Sequence, residues 1–297
     1  MYLEHFNLRE HPFRMTPDPR FLYMSEAHSR ALAYLDYAVI NRDSFVVITG
    51  EIGSGKTTLV QRLFQSLDQR VVLARVHHTR LTEREFLEAV LVELGLDPFR
   101  RSKVEVLDML NSFLLERYGR GEQVLLVVDE AQNLTEEVLE EIRLLSGLET
   151  EEEKLMNVIL VGQPELKAVL SSPRLRQLTQ RIRFQFHLGE LSEVECRGYI
   201  RHRLAVAGGD PDAIMDSAAM SAIYHNAKGI PRLINTLSDT AMVCAYADEC
   251  DRVTQKEVDE ALAELQWEPR HSGAVAGESS DGDPPEDSSG KRLESLY

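Results

Sequence analysis

The feature that most restricts this chain is a short apolar run ending in a glycine-rich turn. Ser44-Phe-Val-Val-Ile-Thr49 leads directly into Gly50-Glu51-Ile52-Gly53-Ser54-Gly55-Lys56-Thr57-Thr58. A run this short, rich in β-branched residues and followed by helical spacing, reads as a buried strand feeding a helix. Gly50 to Thr57 fits G-x-x-x-x-G-K-[ST] in full, in the strand–turn–helix context the pattern needs. Its glycines let the backbone curl so that successive N–H groups converge on phosphate. The helix N-terminus adds partial positive charge. Lys56 is then placed to reach the β- and γ-phosphates of a nucleoside triphosphate, and the Thr57 hydroxyl to ligate Mg²⁺.

A second acidic element answers the first. Val124-Leu-Leu-Val-Val128 ends in Asp129-Glu130. A strand that closes on a carboxylate carries it to the same sheet edge as the phosphate loop. Asp129 is expected to hold Mg²⁺, and Glu130 to polarise the water that attacks the γ-phosphate.

Strand-like runs at Val71–Val76, Gln123–Val128, 157–161 and 183–188 join the first, with helical patterns at 56–67, 82–94, 104–118 and 135–146. Strands separated by helical crossovers predict a five-stranded parallel sheet covered on both faces. After Gly189 the strands stop. Helices at 192–207, Ser217–Ala227, Pro231–Ala247 and 254–266 predict a small all-helical second domain. The division is therefore an N-terminal segment (1–43), an α/β core (44–189), a helical lid (190–267) and a tail (268–297). That tail, rich in Gly, Ser, Pro and acids, has too little apolar surface to order itself.

Composition narrows the partners. No apolar run approaches the roughly 18–20 residues of a membrane span, and the start Met1-Tyr2-Leu3-Glu4-His5 is not a secretory signal. Cys196, Cys244 and Cys250 show no metal spacing and read as reduced thiols of a cytoplasmic protein. The net charge is −16, and residues 190–267 alone carry 7 bases against 14 acids. That balance disfavours sequence-independent nucleic-acid binding, which needs cationic surface.

Five stretches in order resemble one family. They are Thr16-Pro-Asp-Pro-Arg-Phe-Leu-Tyr23, the Thr49–Thr58 loop, Val128-Asp-Glu-Ala-Gln-Asn-Leu134, Leu160-Val-Gly-Gln-Pro-Glu-Leu166 and Gly229-Ile-Pro-Arg-Leu-Ile-Asn235. Together they resemble the ExeA/GspA-type AAA+ ATPases of bacterial envelope assembly. Within that group they are most similar to the stand-alone ATPases that accompany exosortase and exopolysaccharide-export systems. The resemblance implies an α/β AAA+ P-loop NTPase with a helical lid, using ATP and Mg²⁺ and forming a nucleotide-dependent homo-oligomer. It implies Gln163 as a polar sensor after the fourth strand, and Arg232 as a second sensor on a lid helix. It implies Arg181 as an arginine acting across a subunit boundary, with Arg183 as the alternative.

The segment before the first strand packs on adenine in such folds, making Tyr23 and His28 candidates there. His77-His78 read as strand-end polar residues. The best-known secretion members continue into a transmembrane helix and a peptidoglycan-binding domain, where this sequence has its acidic tail. Attachment to the inner membrane is accordingly expected through a partner protein of the export system. The rival reading is a DNA-binding regulator of transposition from the same AAA+ branch.

Overall fold

A computed structural model describes residues 1–41, 45–151 and 153–267. The expected disordered tail lies outside the described residues, as does Ser44 at the head of the first strand.

The chain opens with one helical turn, α1 (Tyr2–His5), and a longer helix, α2 (Glu26–Ile40), capped by the Ser25 hydroxyl accepting the His28 N–H. β1 (Phe45–Gly50) follows with every residue buried, and α3 (Lys56–Ser66) leaves from the glycine turn at its end. Next come β2 (Val71–Val76), α4 (Glu83–Glu93), α5 (Lys103–Gly119), β3 (Gln123–Val128) and α6 (Glu136–Leu145). β4 (Met156–Gly162), the short α7 (Glu165–Leu170) and α8 (Arg176–Thr179), and β5 (Phe184–Leu188) complete the α/β part. The helical part holds α9 (Glu193–Val206), α10 (Pro211–Ile214), α11 (Ser217–Ala227), α12 (Pro231–Ala247) and α13 (Gln255–Glu264). Thr82 and Ser192 start α4 and α9 with capping boxes. Each side chain takes an N–H one turn on, while Glu85 or Glu195 reaches back.

The five strands form one parallel sheet in the order β2-β3-β4-β1-β5. Alternate strand residues feed opposite cores, as the two-residue period requires. Val47, Leu126 and Leu160 pack under α4, α5 and α6, whereas Ile48, Val127 and Val161 pack under α2 and α3. Thr49 pairs with Gly162 on one side and His187 on the other, while Val128 lies opposite Leu160. The turns after β1, β3 and β4 therefore open side by side at the C-terminal edge, where ligands of parallel sheets collect.

The N-terminal segment does more than border the nucleotide loop. Tyr2, Phe6, Leu8, Phe13 and Phe21 are buried in the core of the helical domain, among Ile200, Leu204 and Leu237. Arg9 donates its N–H to the Ala207 carbonyl at 2.8 Å, and the Tyr2 hydroxyl donates to Asp239 at 2.5 Å. Buried Arg203 closes the joint, with Nε on the Pro12 carbonyl at 2.5 Å, Nη2 on the Arg14 carbonyl at 3.1 Å, and its guanidinium 5.0 Å from the Phe21 ring. Residues 14–23 then turn toward the sheet edge.

Phe13 is 2% exposed at the centre of this joint. Phe13→Ala is expected to cost about 3–5 kcal/mol, the usual loss for a buried phenylalanine. Urea denaturation followed by the fluorescence of Trp267, which packs on the same cluster, measures it.

Candidate functional site at the strand edge

A cleft of about 370 Å³ runs from the glycine loop to the helical domain. One wall is apolar and aromatic, built by Met15, Pro17, Phe21, Tyr23, Leu191 and Tyr199. The other end is polar, with Lys56, Thr57, Glu130, Gln163 and Arg232. Of the expected loop residues, Ile52 to Thr58 line the cleft, while Gly50 closes β1 and Glu51 follows it. His28 and Tyr23 line it too. The structure thus gathers residues from six separate stretches of sequence into one recess with an apolar end and a charged end.

The loop leaves no room for side chains at two glycines. Gly53 has φ +83°, and a methyl group there would sit 2.3 Å from Arg232 Cβ on α12. Gly55 has φ +95°, and its methyl would lie 2.9 Å from His28 Nε2. The His28 ring donates from Nε2 to the Ser54 carbonyl at 3.1 Å, while its Nδ1 accepts from the Ser25 hydroxyl at 2.7 Å. His28 therefore braces the loop from behind as well as lining the cleft.

Lys56 is buried, and its Nζ donates to the Gly50 carbonyl at 2.7 Å and the Glu51 carbonyl at 2.9 Å. Burial pulls its pKa below the lysine range, against the attraction of Glu130 and Asp129. A buried ammonium held by carbonyl dipoles is stabilised by an incoming anion.

Asp129 is nearly buried, and its Oδ1 accepts the Glu130 N–H at 3.0 Å. Oδ2 faces Arg75 at 3.7 Å and His77 at 3.8 Å, so His77 serves the acidic turn. Glu130 adopts a left-handed backbone, φ 52°, and its carbonyl accepts the Thr79 hydroxyl at 3.0 Å. The Thr57 hydroxyl and the Asp129 carboxylate are hard oxygen donors. They fit Mg²⁺, which takes few protein ligands and completes its shell with water and phosphate oxygens. Among the described residues, no cluster of three or more His, Cys, Asp or Glu is placed to hold a metal by itself.

Arg181 is not in this cleft. It lies at the C-terminal end of α6, where Nη1 donates to the Arg143 carbonyl at 2.7 Å and the Ser146 hydroxyl at 3.1 Å. Arg183, the alternative, lies over the rings of Tyr37 and Phe184 beside β5. Sequence reasoning passed over Gln132 and Arg203. Gln132 donates to Glu130 Oε2, and Arg203 forms part of the cleft wall. Gln132 stands two residues after Glu130 in a quoted motif, but Arg203 carries no local signal.

Residues 40–170 match the family model of the AAA domain. The ORC2 protein of Aeropyrum pernix, solved in ADPNP–ADP complexes, superposes with TM-score 0.65 at 16% identity, covering 86% of this chain and 71% of that one. Cdc6p of Pyrobaculum aerophilum gives TM-score 0.65 at 17% identity, covering 86% and 70%. Fold and domain match together define an AAA P-loop NTPase architecture.

Among curated proteins, General secretion pathway protein A of Aeromonas hydrophila is 40% identical over 266 residues, covering 89% of this chain and 48% of that protein. The Mu-like prophage FluMu DNA transposition protein B of Haemophilus influenzae is 31% identical over 132 residues, covering 44% and 42%. The chain thus spans about half the length of the curated relatives it matches. The AAA domain and the similarity to General secretion pathway protein A support the ExeA/GspA-type family.

His28, His187 and His202 all have pKa values lowered chiefly by burial. Below about pH 6.5, the ordinary imidazole value, the unfolded chain binds protons that the native state resists. Stability is therefore expected to fall as pH drops from 7.5 to 5.5. His28→Asn should remove part of that slope, read from urea midpoints at the two pH values.

Proposed function

We propose that this protein is an Mg²⁺-dependent ATPase that drives or regulates assembly of a bacterial envelope secretion or exopolysaccharide-export system. The observation that carries the ATPase reading is the single cleft uniting Lys56 and Thr57, Glu130, Gln163 and Arg232 beneath an apolar wall. That wall is suited to a base, and the polar end to a triphosphate. Lys56 and the loop hold the phosphates, while Asp129 and Thr57 would hold Mg²⁺, which would supply neutralising positive charge to the phosphates. Glu130 takes the proton of the attacking water. Gln163 and Arg232 contact the γ-phosphate from the sheet and from the helical domain. Loss of that phosphate then frees α12 from the loop and turns hydrolysis into domain rotation.

The pathway rests on the 40% identity to General secretion pathway protein A over 89% of this chain. The partner is a protein of the inner membrane or export system. Attachment to the inner membrane is assigned to that partner in this reading, and no helix among the described residues is long and apolar enough to cross a membrane. A regulator of DNA transposition is the second reading, favoured by the 31% identity to the FluMu protein. A salt-dependent DNA-binding titration separates the two.

Lys56→Ala should sharply weaken ATP binding in isothermal titration. Glu130→Gln should bind Mg²⁺-ATP normally and hydrolyse it about 10² or more times slower, as for a lost general base.

In this reading Arg181, whose guanidinium lies at the end of α6 outside the cleft of its own chain, completes the site of a neighbouring subunit. Specific activity should rise with protein concentration, and Arg181→Ala should bind ATP yet hydrolyse it poorly. Mixing Arg181→Ala with Lys56→Ala subunits should restore part of the activity. Turnover per subunit that stays flat across a hundredfold dilution, with no oligomer by light scattering, would refute the trans role.

A further inference from the structure

Resting on the ATPase reading above, we infer that Gln132 is the positioning residue of the catalytic carboxylate, locking Glu130 and Gln163 into one unit. The geometry is reciprocal. Gln132 Nε2 donates to Glu130 Oε2 at 2.6 Å, while Gln132 Oε1 accepts the backbone N–H of Gln163 at 2.9 Å. Gln163 Nε2 closes the triangle by donating to the same Glu130 Oε2 at 3.2 Å. One side chain thus bridges the turn after β3 and the turn after β4.

The consequence lies in which oxygen is held. Oε2 receives two amide donors, so Oε1 is the oxygen left to take a proton from water. A glutamate has three side-chain torsions, and an exposed one samples many rotamers at an entropic cost to any fixed geometry. Glu130 is exposed, and its left-handed backbone fixes only where the side chain starts. The bridge supplies the rest, holding the base in line with the loop before substrate arrives, as a preorganised site requires. Because the same amide also grips Gln163, a shift of the sensor turn moves the base with it. Glutamine suits this task because its amide donates to a carboxylate and accepts from an N–H at once. Glutamate at 132 keeps only the second function.

The test is steady-state hydrolysis by the full chain with Mg²⁺-ATP. Gln132→Ala should lower kcat by about tenfold or more while KM, ATP affinity and the urea midpoint stay within twofold. That loss is smaller than removal of the base itself, about 10² or more. Gln132→Glu, close to isosteric, should lose as much, because it retains the contact to Gln163 and replaces the donor to Glu130 with a like charge.

A double-mutant cycle decides the route of action. In a Glu130→Gln background, adding Gln132→Ala should change kcat by less than twofold. Independent, multiplying losses would overturn the inference, as would a Gln132→Ala or Gln132→Glu enzyme within twofold of wild type. If Glu130→Gln alone keeps full turnover, the assignment of the base falls and the inference with it. If Glu130→Gln is slow and Gln132→Ala is normal, only the inference falls.

Discussion

Everything at the site depends on the parallel pairing of β1 with its two neighbours. β1 is hydrogen-bonded to β4 on one edge and β5 on the other, with Thr49 level with both Gly162 and His187. That register brings the glycine loop and Gln163 to the same height, and β3 adds Asp129 and Glu130 one strand further on. A slip of one residue would turn every strand side chain to the wrong face and carry the turns at the cleft apart. Two apolar cores, one on each side of the sheet, oppose such a slip. The geometry of the cleft is therefore held in place by packing far from it.

The second structural theme is the joining of the chain's start to its helical end. Arg203 binds two carbonyls of the N-terminal segment and also donates from Nη1 to the Tyr199 hydroxyl at 2.7 Å, which in turn donates to Asn235 at 2.8 Å. Asn235 lies one turn along α12 from Arg232, the residue against the loop. The wall of the cleft and the candidate γ-phosphate contact are thus tied through one buried polar chain. Such a chain transmits displacement because each member is hydrogen-bonded and closely packed.

Much of this was legible in the sequence. β2 and β3 and the helices α11 and α12 occur with the bounds that periodicity gave. The loop residues and Glu130 announce themselves because phosphate chemistry demands fixed residue types at fixed spacing. Short elements did not show. α7, α8 and α10 have 6, 4 and 4 residues, too few for a helical period to register.

The destination of Phe6, Leu8 and Phe13 was equally hidden, since nothing local says which core an apolar residue joins. Arg203 stayed silent for the opposite reason. Its carbonyl partners Pro12 and Arg14 lie 191 and 189 positions away in sequence, and an arginine on an amphipathic helix ordinarily reads as surface.

The stretch 40–170 that matches the AAA domain model differs from the physical unit. It leaves out β5, the partner of β1 along a whole edge, and it leaves out residues 1–23, which supply the apolar wall of the cleft and fill the lid's core. A fragment trimmed to the matched stretch would bare the hydrogen-bonding groups of a fully buried strand and invite edge-to-edge association. It would also lose the floor against which a base could stack. For this chain, the edges of the matched domain and the edges of the packed unit fall in different places.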